Sequence, residues 1–497
     1  MSSSIGKNVF SVYITNIIAA GSTFGFWVIA SNLTNSEIIG KVAAVGSLCM
    51  ILGVLSNFDL GVGMKRFLGK AAAEKDWPRF KQVSSISTLF GFSMSIGILL
   101  IVLNPVIDIL GMIGIEKQFI PVIIIIVLGN DLQSMFMGTL ISSMRSKSII
   151  LPNLVGTLSR FPLLFLLLFM VEKSELNVAF AYSSFYLIFS FLLFAVTSRF
   201  YKKIPGSYFY NAKNNLKLVI YGSLPRWIPQ IITTLGSQIS ILIIFTVKGP
   251  SESGLFYIPF GIYLVLFLIS GAMNQVSHPV LSGMENVESR KKFLRKTLKL
   301  TFLGSMPLAG IVFFYSKEIL SLFGPEFVAS TNILEILILS FPAMILAEGV
   351  YYLLYARGHY KNVLFLGLLG NIPRIILYII LVPIYGGMGG AIAFVIGVFL
   401  QLILTIILIE KMNIRLQYLL FIFITIIPFA LGYSLQILNA GIFGVIILFF
   451  ASFALYIKFR MLDEDDLQSM LESFLPNEKA LKAKRQISIL LKKFRLL

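Results

Sequence analysis

Apolar residues fall in long blocks along this chain, and polar or Gly- and Pro-rich breaks separate the blocks. A helix of about 20 mostly apolar residues is long enough to cross the hydrocarbon core of a bilayer. About fourteen such windows can be recognised, at residues 8–31, 38–60, 84–104, 119–141, 150–171, 176–196, 218–246, 254–275, 298–315, 332–354, 363–383, 389–410, 417–437 and 439–457. The pattern therefore predicts an all-α integral membrane protein with about fourteen transmembrane helices.

Composition agrees with that prediction and limits the chemistry. The 497 residues are 57% hydrophobic and 13% charged, with a mean hydropathy of +0.88, which is more apolar than an ordinary soluble domain. A single cysteine, Cys49, excludes a disulfide within the chain, and two histidines make a His/Cys metal site unexpected. There is no Gly-x-x-x-x-Gly-Lys-Ser/Thr loop and no polar segment long enough for an ATPase. We therefore predict a protein that is not an enzyme and has no catalytic residue.

The basic residues that give the chain its net charge of +18 lie mainly in alternate connections between the predicted helices. In a chain this hydrophobic, the positive-inside rule explains the excess better than a nucleic-acid partner does. The even-numbered connections carry Lys65, Arg66, Lys70, Lys75, Arg79, Lys81, Arg145, Lys147, Arg199, Lys202, Lys203, Lys213, Arg290, Lys291, Lys292, Arg295, Lys296, Arg357, Lys361, Lys411 and Arg415. The odd-numbered ones hold few basic residues. This distribution predicts a multi-pass protein of the cell membrane with both termini in the cytoplasm.

Short patterns recur between the two halves of the chain. Ser-Glu followed by Gly occurs at residues 36–40 and again at 251–254, each time after a predicted helix. A glycine precedes an arginine by four residues in the fifth and eleventh helices, as Gly156 and Arg160 and as Gly370 and Arg374. Because six is an even number of helices, two six-helix repeats would share one orientation, as in parallel-repeat transporters.

The repeat suggests four segments. These are an N-lobe of six helices over residues 1–200, a C-lobe of six helices over 201–415, a final helix pair over 416–457, and a basic tail over 458–497. Apolar residues recur at helical spacing among the basic residues of the tail. That pattern suits a helix on anionic lipid headgroups, and it suits a solvated charged tail equally well.

Several segments resemble the multidrug/oligosaccharidyl-lipid/polysaccharide exporter superfamily, and within it the polysaccharide transporter branch of O-antigen-type flippases. They are Ser36-Glu37 with Gly40, Asp59-Leu60-Gly61 with Arg66, residues 249–257, residues 279–282 with the basic stretch 290–299, residues 322–327 and residues 386–391. The resemblance implies two lobes that move by alternating access. It also implies a lipid-linked oligosaccharide of the polyprenyl-pyrophosphate type as substrate, and glycosyltransferases or a polymerase of a glycan pathway as partners. Ser240 departs from the pattern, because some members carry an acidic residue there.

Arg160 and Arg374 are the strongest candidates for substrate binding. A charge at the bilayer centre costs roughly 2.5 to 3.5 kcal/mol, so such residues usually face a cavity or a partner. A guanidinium makes two parallel hydrogen bonds to a phosphate and stays charged at any relevant pH. The alternative is an interhelical ion pair, of Arg160 with Asp131 or of Arg374 with Glu348.

Other charged residues have less specific roles. Arg226, between two prolines of helix seven, is a third candidate for substrate binding, although it lies near enough to a helix end to snorkel. Asp131 is the leading candidate for coupling to a proton or a sodium ion, and Glu348 is similar. Asp59 and Arg66 are predicted structural or gating residues at the cytoplasmic mouth. Apart from such a coupling ion, no cofactor is expected.

The preferred function is a flippase that moves a lipid-linked oligosaccharide from the cytoplasmic to the outer leaflet, with membrane lipids around it. A lipid II flippase is a substrate variant of the same prediction. A cation-coupled multidrug or metabolite antiporter of the same fold would instead have a neutral or acidic cavity and depend on Asp131 or Glu348. A membrane-embedded polymerase or glycosyltransferase would need a larger outer loop than the longest one here, which has about 20 residues.

Overall fold

The computed structural model describes residues 2–209, 211–283, 286–463 and 466, and this part of the chain is helical and contains no strand. Its helices are α1 (Ser2–Leu33), α2 (Ser36–Asn57), α3 (Leu60–Ala73), α4 (Trp77–Val102), α5 (Ile109–Ile113), α6 (Ile120–Ser142), α7 (Lys147–Met170), α8 (Glu175–Tyr201), α9 (Ala212–Lys248), α10 (Pro250–Gly283), α11 (Val287–Phe314), α12 (Ser316–Ser321), α13 (Thr331–Leu339), α14 (Phe341–Ala356), α15 (Tyr360–Lys411), α16 (Tyr418–Ile437) and α17 (Phe443–Lys458). Lys117–Phe119 and Pro325–Ser330 are short 3₁₀ turns.

Every apolar window predicted from the sequence overlaps a helix, so the all-α membrane fold is confirmed. Within the described ranges, nine helices are long and apolar enough to cross a membrane, or ten if α13 and α14, which meet at 43°, form one bent span. The eleventh and twelfth windows share the single helix α15, which is interrupted at Gly386 by a left-handed φ of 57°. The predicted amphipathic tail lies outside the described residues, apart from a few at its start.

Helix α3 was not predicted. Its 14 residues follow Asp59 directly and include Lys65 and Lys70, so a search for uncharged apolar windows reads the segment as a connection. Phe58 and Asp59, between α2 and α3, both have left-handed backbone angles, with φ of 51° and 52°. Such conformations cost non-glycine residues free energy, and they turn the chain sharply between the two helices.

The described chain divides into two compact units. The first unit contains the residues up to Ile258 together with Leu322–Phe327 and Asn371–Ala393. The second contains Pro259–Ser321, Val328–Gly370 and the residues from Phe394 onward. The first unit therefore includes α9, which the sequence analysis assigns to the C-lobe. The predicted lobe boundaries describe the bodies that would move in transport, and they stay a prediction.

The repeated Ser-Glu-Gly pattern has a packing role inside the first unit. A Cβ on Gly40 would collide with the backbone of Pro250, and one on Gly254 would collide with the backbone of Ser36. The start of α2 and the start of α10 can therefore touch only because each carries a glycine at the corresponding position. The Ser36 hydroxyl lies 2.9 Å from the Ser251 hydroxyl, so corresponding residues of the two patterns meet in space.

The second unit is built around α11. This helix packs against α14, α16 and α17. The rings of Phe302 on α11 and Phe421 on α16 lie 4.7 Å apart. The Tyr456 hydroxyl on α17 donates a hydrogen bond of 2.7 Å to the carbonyl of Ile424 on α16. A hydroxyl at membrane depth is costly unless it is hydrogen-bonded, and this bond fixes the final helix pair.

Candidate functional site

Arg160 lies inside the first unit, where α7 packs against α1 and α8. Gly156 is one turn before Arg160, and a Cβ on it would lie 2.9 Å from the Cβ of Phe189 on α8. The absence of a side chain at Gly156 therefore lets α7 approach α8 closely. This approach places the Arg160 side chain, only 2% exposed, between α1 and α8.

Aromatic rings surround the Arg160 guanidinium. Its centre lies 4.4 Å from the ring centre of Phe185, 5.0 Å from that of Tyr182 and 5.9 Å from that of Phe26. Trp27 extends the cluster by contacting the Tyr182 ring at 5.3 Å. We call Phe26, Trp27, Tyr182 and Phe185 the aromatic cage. Such cation–π contacts are worth about 2 kcal/mol when they are desolvated.

The cage does not neutralise the charge. Nη1 of Arg160 donates to the Thr23 hydroxyl at 3.0 Å, and within the described residues Nε has no hydrogen-bond partner. The described residues also contain no carboxylate within ion-pair distance of Arg160. A buried ion normally costs several kcal/mol unless a counter-charge is present. The arrangement can therefore accept an anion whose oxygens replace the missing partner.

Asp131, the predicted alternative partner of Arg160, forms other contacts. Its carboxylate accepts hydrogen bonds from the hydroxyl of Ser56 at 2.6 Å, the amide of Asn57 at 3.3 Å and the hydroxyl of Ser95. It is 1% exposed and joins α6 to α2 and α4. The predicted Arg160–Asp131 ion pair is therefore wrong for this structure. Polar neighbours on two other helices hold the carboxylate instead, and no basic residue of the described chain lies within ion-pair distance of it.

Arg226 and Asp59, predicted for different roles, lie together. Nε of Arg226 on α9 is 3.2 Å from Oδ2 of Asp59, at the turn between α2 and α3. The exposed fractions of the two side chains are 33% and 15%, so the pair is partly open to solvent. Burial raises the pKa of Asp59, and the positive charges of Arg226 and Lys65 oppose that shift.

An aromatic contact braces this ion pair. Trp227 stacks on Phe58 with ring centres 4.1 Å apart, and its indole N–H donates a 2.7 Å hydrogen bond to the carbonyl of Val54. The residues next to Arg226 and Asp59 therefore fix α9 against the end of α2. Arg66, the other predicted gating residue, lies in α3, and its side chain is outside the described residues. The gating roles stay predictions.

Arg374 lies on α15 in the part that belongs to the first unit. It is 3% exposed, and its Nη1 donates to Oδ1 of Asn371 at 3.1 Å. One turn later, the Tyr378 hydroxyl donates to the carbonyl of Gly236 on α9 at 3.0 Å. Glu348, its predicted partner, lies on α14 in the second unit, and that pairing stays a prediction.

Sequence reasoning found the arginines and missed what surrounds them. The cage residues lie on α1 and α8, far from Arg160 in the chain, and aromatic residues are common in membrane helices. One local feature of the sequence could have indicated an aromatic surface, namely the helical spacing that places Tyr182, Phe185 and Tyr186 on one face of α8. Within the described residues no group of His, Cys, Asp and Glu could hold a metal ion.

Comparisons with known proteins agree with this fold. No family model matches the chain. A Shigella flexneri protein described as "Putative O-antigen transporter" is 27% identical over 239 residues, which is 48% of this chain and 57% of that protein. The chain therefore spans little more than half the length of this relative.

Solved structures match over more of the chain. An inward-facing multidrug resistance MATE family transporter of the MOP superfamily has a TM-score of 0.67 at 15% identity, over 82% of this chain and 99% of that one. The lipid II flippase MurJ in an inward closed conformation has a TM-score of 0.67 at 15% identity, over 90% and 100%. The chain therefore shares the fold of these two transporters, which is the fold that the resemblance drawn from the sequence implies. The chain is a multi-pass membrane protein.

Proposed function

We propose that this protein is a flippase that moves a lipid-linked oligosaccharide of the polyprenyl-pyrophosphate type across the cell membrane by alternating access. The observation that carries the proposal is the Arg160 guanidinium, which is buried in an aromatic cage without a carboxylate among the described residues. Two of the similar proteins, the one described as "Putative O-antigen transporter" and the lipid II flippase, support a lipid-linked glycan as the class of substrate.

Arginine suits a pyrophosphate better than lysine does. Its planar fork makes two parallel hydrogen bonds to phosphate oxygens, and its charge does not depend on pH. Nε and the second terminal nitrogen of Arg160 lie on one edge of the guanidinium, and Nε has no partner among the described residues. The rings of Tyr182 and Phe185 lie 5.0 Å and 4.4 Å from the guanidinium centre and hold it in place for such a contact. Arg374 would supply a second positive charge to the same kind of substrate.

The sequence carries no ATPase motif, so we propose a driving force other than ATP hydrolysis. We propose that protonation of Asp131, or binding of a sodium ion there, couples transport to an ion gradient. The support is that the carboxylate is buried among neutral donors only. A carboxylate without a fixed cation can change its charge at a lower cost than one held in an ion pair. Glu348 stays a further candidate for this role.

The proposal is tested in proteoliposomes that contain a fluorescent polyprenyl-pyrophosphate oligosaccharide, with translocation measured by quenching of the outer label. Arg160→Ala should slow translocation about a hundred-fold and Arg160→Lys about ten-fold, because lysine keeps the charge and loses the fork. Arg374→Ala should slow it as well. Arg199→Ala is the matched control, because Arg199 lies exposed at the end of α8.

Two results would contradict the proposal. A folded Arg160→Ala variant that translocates at the wild-type rate would remove Arg160 from substrate binding. Efflux of a cationic dye that depends on Asp131, with no movement of the glycolipid, would favour a multidrug antiporter. Thermal unfolding of each variant separates loss of transport from loss of fold.

A further inference from the structure

A cavity of about 660 Å³ lies on the first unit between α4, α6 and α8, away from the aromatic cage. Its volume falls within the usual range for small-molecule sites. The lining residues on α8 recur at helical spacing and form one stripe along that helix. These are Leu187, Ser190, Phe191, Phe194, Thr197 and Ser198. Helix α8 therefore presents Tyr182 and Phe185 to Arg160, and this second stripe to the cavity, which we call the α4–α8 groove.

One end of the groove is apolar and open to the side. Leu89 on α4, Leu132 on α6, and Phe191 and Phe194 on α8 line it. Phe191 is 67% exposed and Phe194 is 54% exposed, which is a position that a membrane protein offers to lipid. An apolar surface of this kind is covered at low cost by hydrocarbon chains.

The other end of the groove is polar. Thr197 is 1% exposed and lines the cavity, and its hydroxyl has no hydrogen-bond partner within the described residues. Tyr201 and Tyr208 line the same end. A buried hydroxyl without a partner costs about 1 to 3 kcal/mol, so this end is built for a ligand that carries hydrogen-bond acceptors.

A cation packs against Tyr208, a lining residue of the polar end. Lys81 was assigned to a connection by the sequence analysis, but it lies in α4, is 7% exposed, and places its Nζ 4.1 Å from the ring centre of Tyr208. Among the described residues no carboxylate pairs with it. The acidic residues that precede α4 have other partners, because Glu74 pairs with Lys70 and Asp76 caps the helix.

We propose that the α4–α8 groove binds an acidic phospholipid of the surrounding membrane. Its acyl chains would lie along Leu89, Phe191 and Phe194, and its phosphate would lie at the end lined by Thr197 and Tyr208, next to Lys81. Charge complementarity supports this occupant, because Thr197 offers an unpartnered hydroxyl at the end of an apolar groove that is open to the side, and Lys81 packs on Tyr208 of that same end. The site is separate from Arg160, so the inference does not depend on the proposed function.

The test compares phosphatidylglycerol with phosphatidylcholine of identical acyl chains, each added to the purified full-length protein in detergent. Native mass spectrometry gives the affinity, and thermal unfolding gives the stabilisation that binding produces. Phosphatidylglycerol should bind about five-fold more tightly, and Lys81→Gln should abolish that preference. Lys202→Gln is the matched control, because it removes an exposed charge beside the end of α8. Thr88 of α4 also lines the groove, so Thr88→Phe should fill it and weaken the binding of both lipids.

A measurement on the unmodified protein guards against a variant that fails to fold. A phosphatidylglycerol with a photoactivatable group on its acyl chain should crosslink mainly to peptides of α4 and α8. Crosslinks spread evenly over the helices would overturn the proposal. So would equal affinities for the two lipids, or a Lys202→Gln effect as large as that of Lys81→Gln. Stabilisation by a polyprenyl phosphate and not by phosphatidylglycerol would assign the groove to the transported carrier and would also overturn it.

Discussion

Arg160 and Arg226 are both arginines of membrane helices in the first unit, yet their surroundings differ completely. Arg226 is one-third exposed and lies 3.2 Å from the carboxylate of Asp59. Arg160 is fully buried against aromatic rings and one hydroxyl, with no carboxylate beside it in the described chain. The ion pair gives Arg226 a structural contact, and its role in substrate binding stays a prediction. The uncompensated charge of Arg160 has no structural account, so it marks the place where a negatively charged ligand is expected.

Among the variants that test this comparison, Arg160→Met should have the largest effect. Removing an uncompensated buried charge and keeping the side-chain volume should stabilise the protein by about 1 to 4 kcal/mol, while translocation of the glycolipid falls about a hundred-fold, as in Arg160→Ala. Thermal unfolding and the proteoliposome assay measure the two quantities on one preparation. A variant that is less stable than the wild type would show that Arg160 is a structural residue, and the contrast with Arg226 would fail.

Asp131 extends the comparison to a buried charge of the opposite sign. Asp131→Asn keeps an acceptor for Ser56 and Ser95, so we expect the fold to survive at a cost of about 1 kcal/mol. Translocation should fall to the rate seen without a proton or sodium gradient. The measurement is the translocation rate with and without each gradient, with Glu172→Gln, at an exposed position, as the control. An unchanged response to both gradients would exclude Asp131 from coupling.

Replacing a residue of the Asp59–Arg226 pair should have the smallest effect of the three tests, and the effect should be on thermal stability. It is partly exposed, so its coupling free energy should be about 1 kcal/mol, far below that of a fully buried pair. Asp59→Asn and Arg226→Gln should each lower the unfolding temperature, and the double variant should lie close to the single ones. A double-mutant cycle on thermal unfolding gives the coupling. Strictly additive effects would mean that the contact contributes nothing to stability.

The helices were predictable because the bilayer imposes a length and a composition that a single sequence displays. Each predicted window overlaps a helix, and α3 was missed because its charges interrupt the apolar pattern. The buried charges of Asp131, Arg160 and Arg374 were also predictable, since a charged residue inside an apolar window stands out against its neighbours, whereas buried Lys81 was read as part of a connection. Their partners were not, because polar residues on different helices carry no local signal of which ones will meet.

The sequence alone determined that this chain is an all-α membrane protein with arginines at membrane depth. Only the tertiary structure decided which residues these charges contact. Asp131 accepts hydrogen bonds from Ser56, Asn57 and Ser95, and Asp59 forms an ion pair with Arg226. Arg160 is surrounded by aromatic rings. The physical reason is the distance over which each interaction acts. The hydrophobicity that places a helix in the membrane is a property of that helix alone and can be read from its own sequence. Ion pairs and hydrogen bonds act over about 3 Å, between helices that only packing brings together.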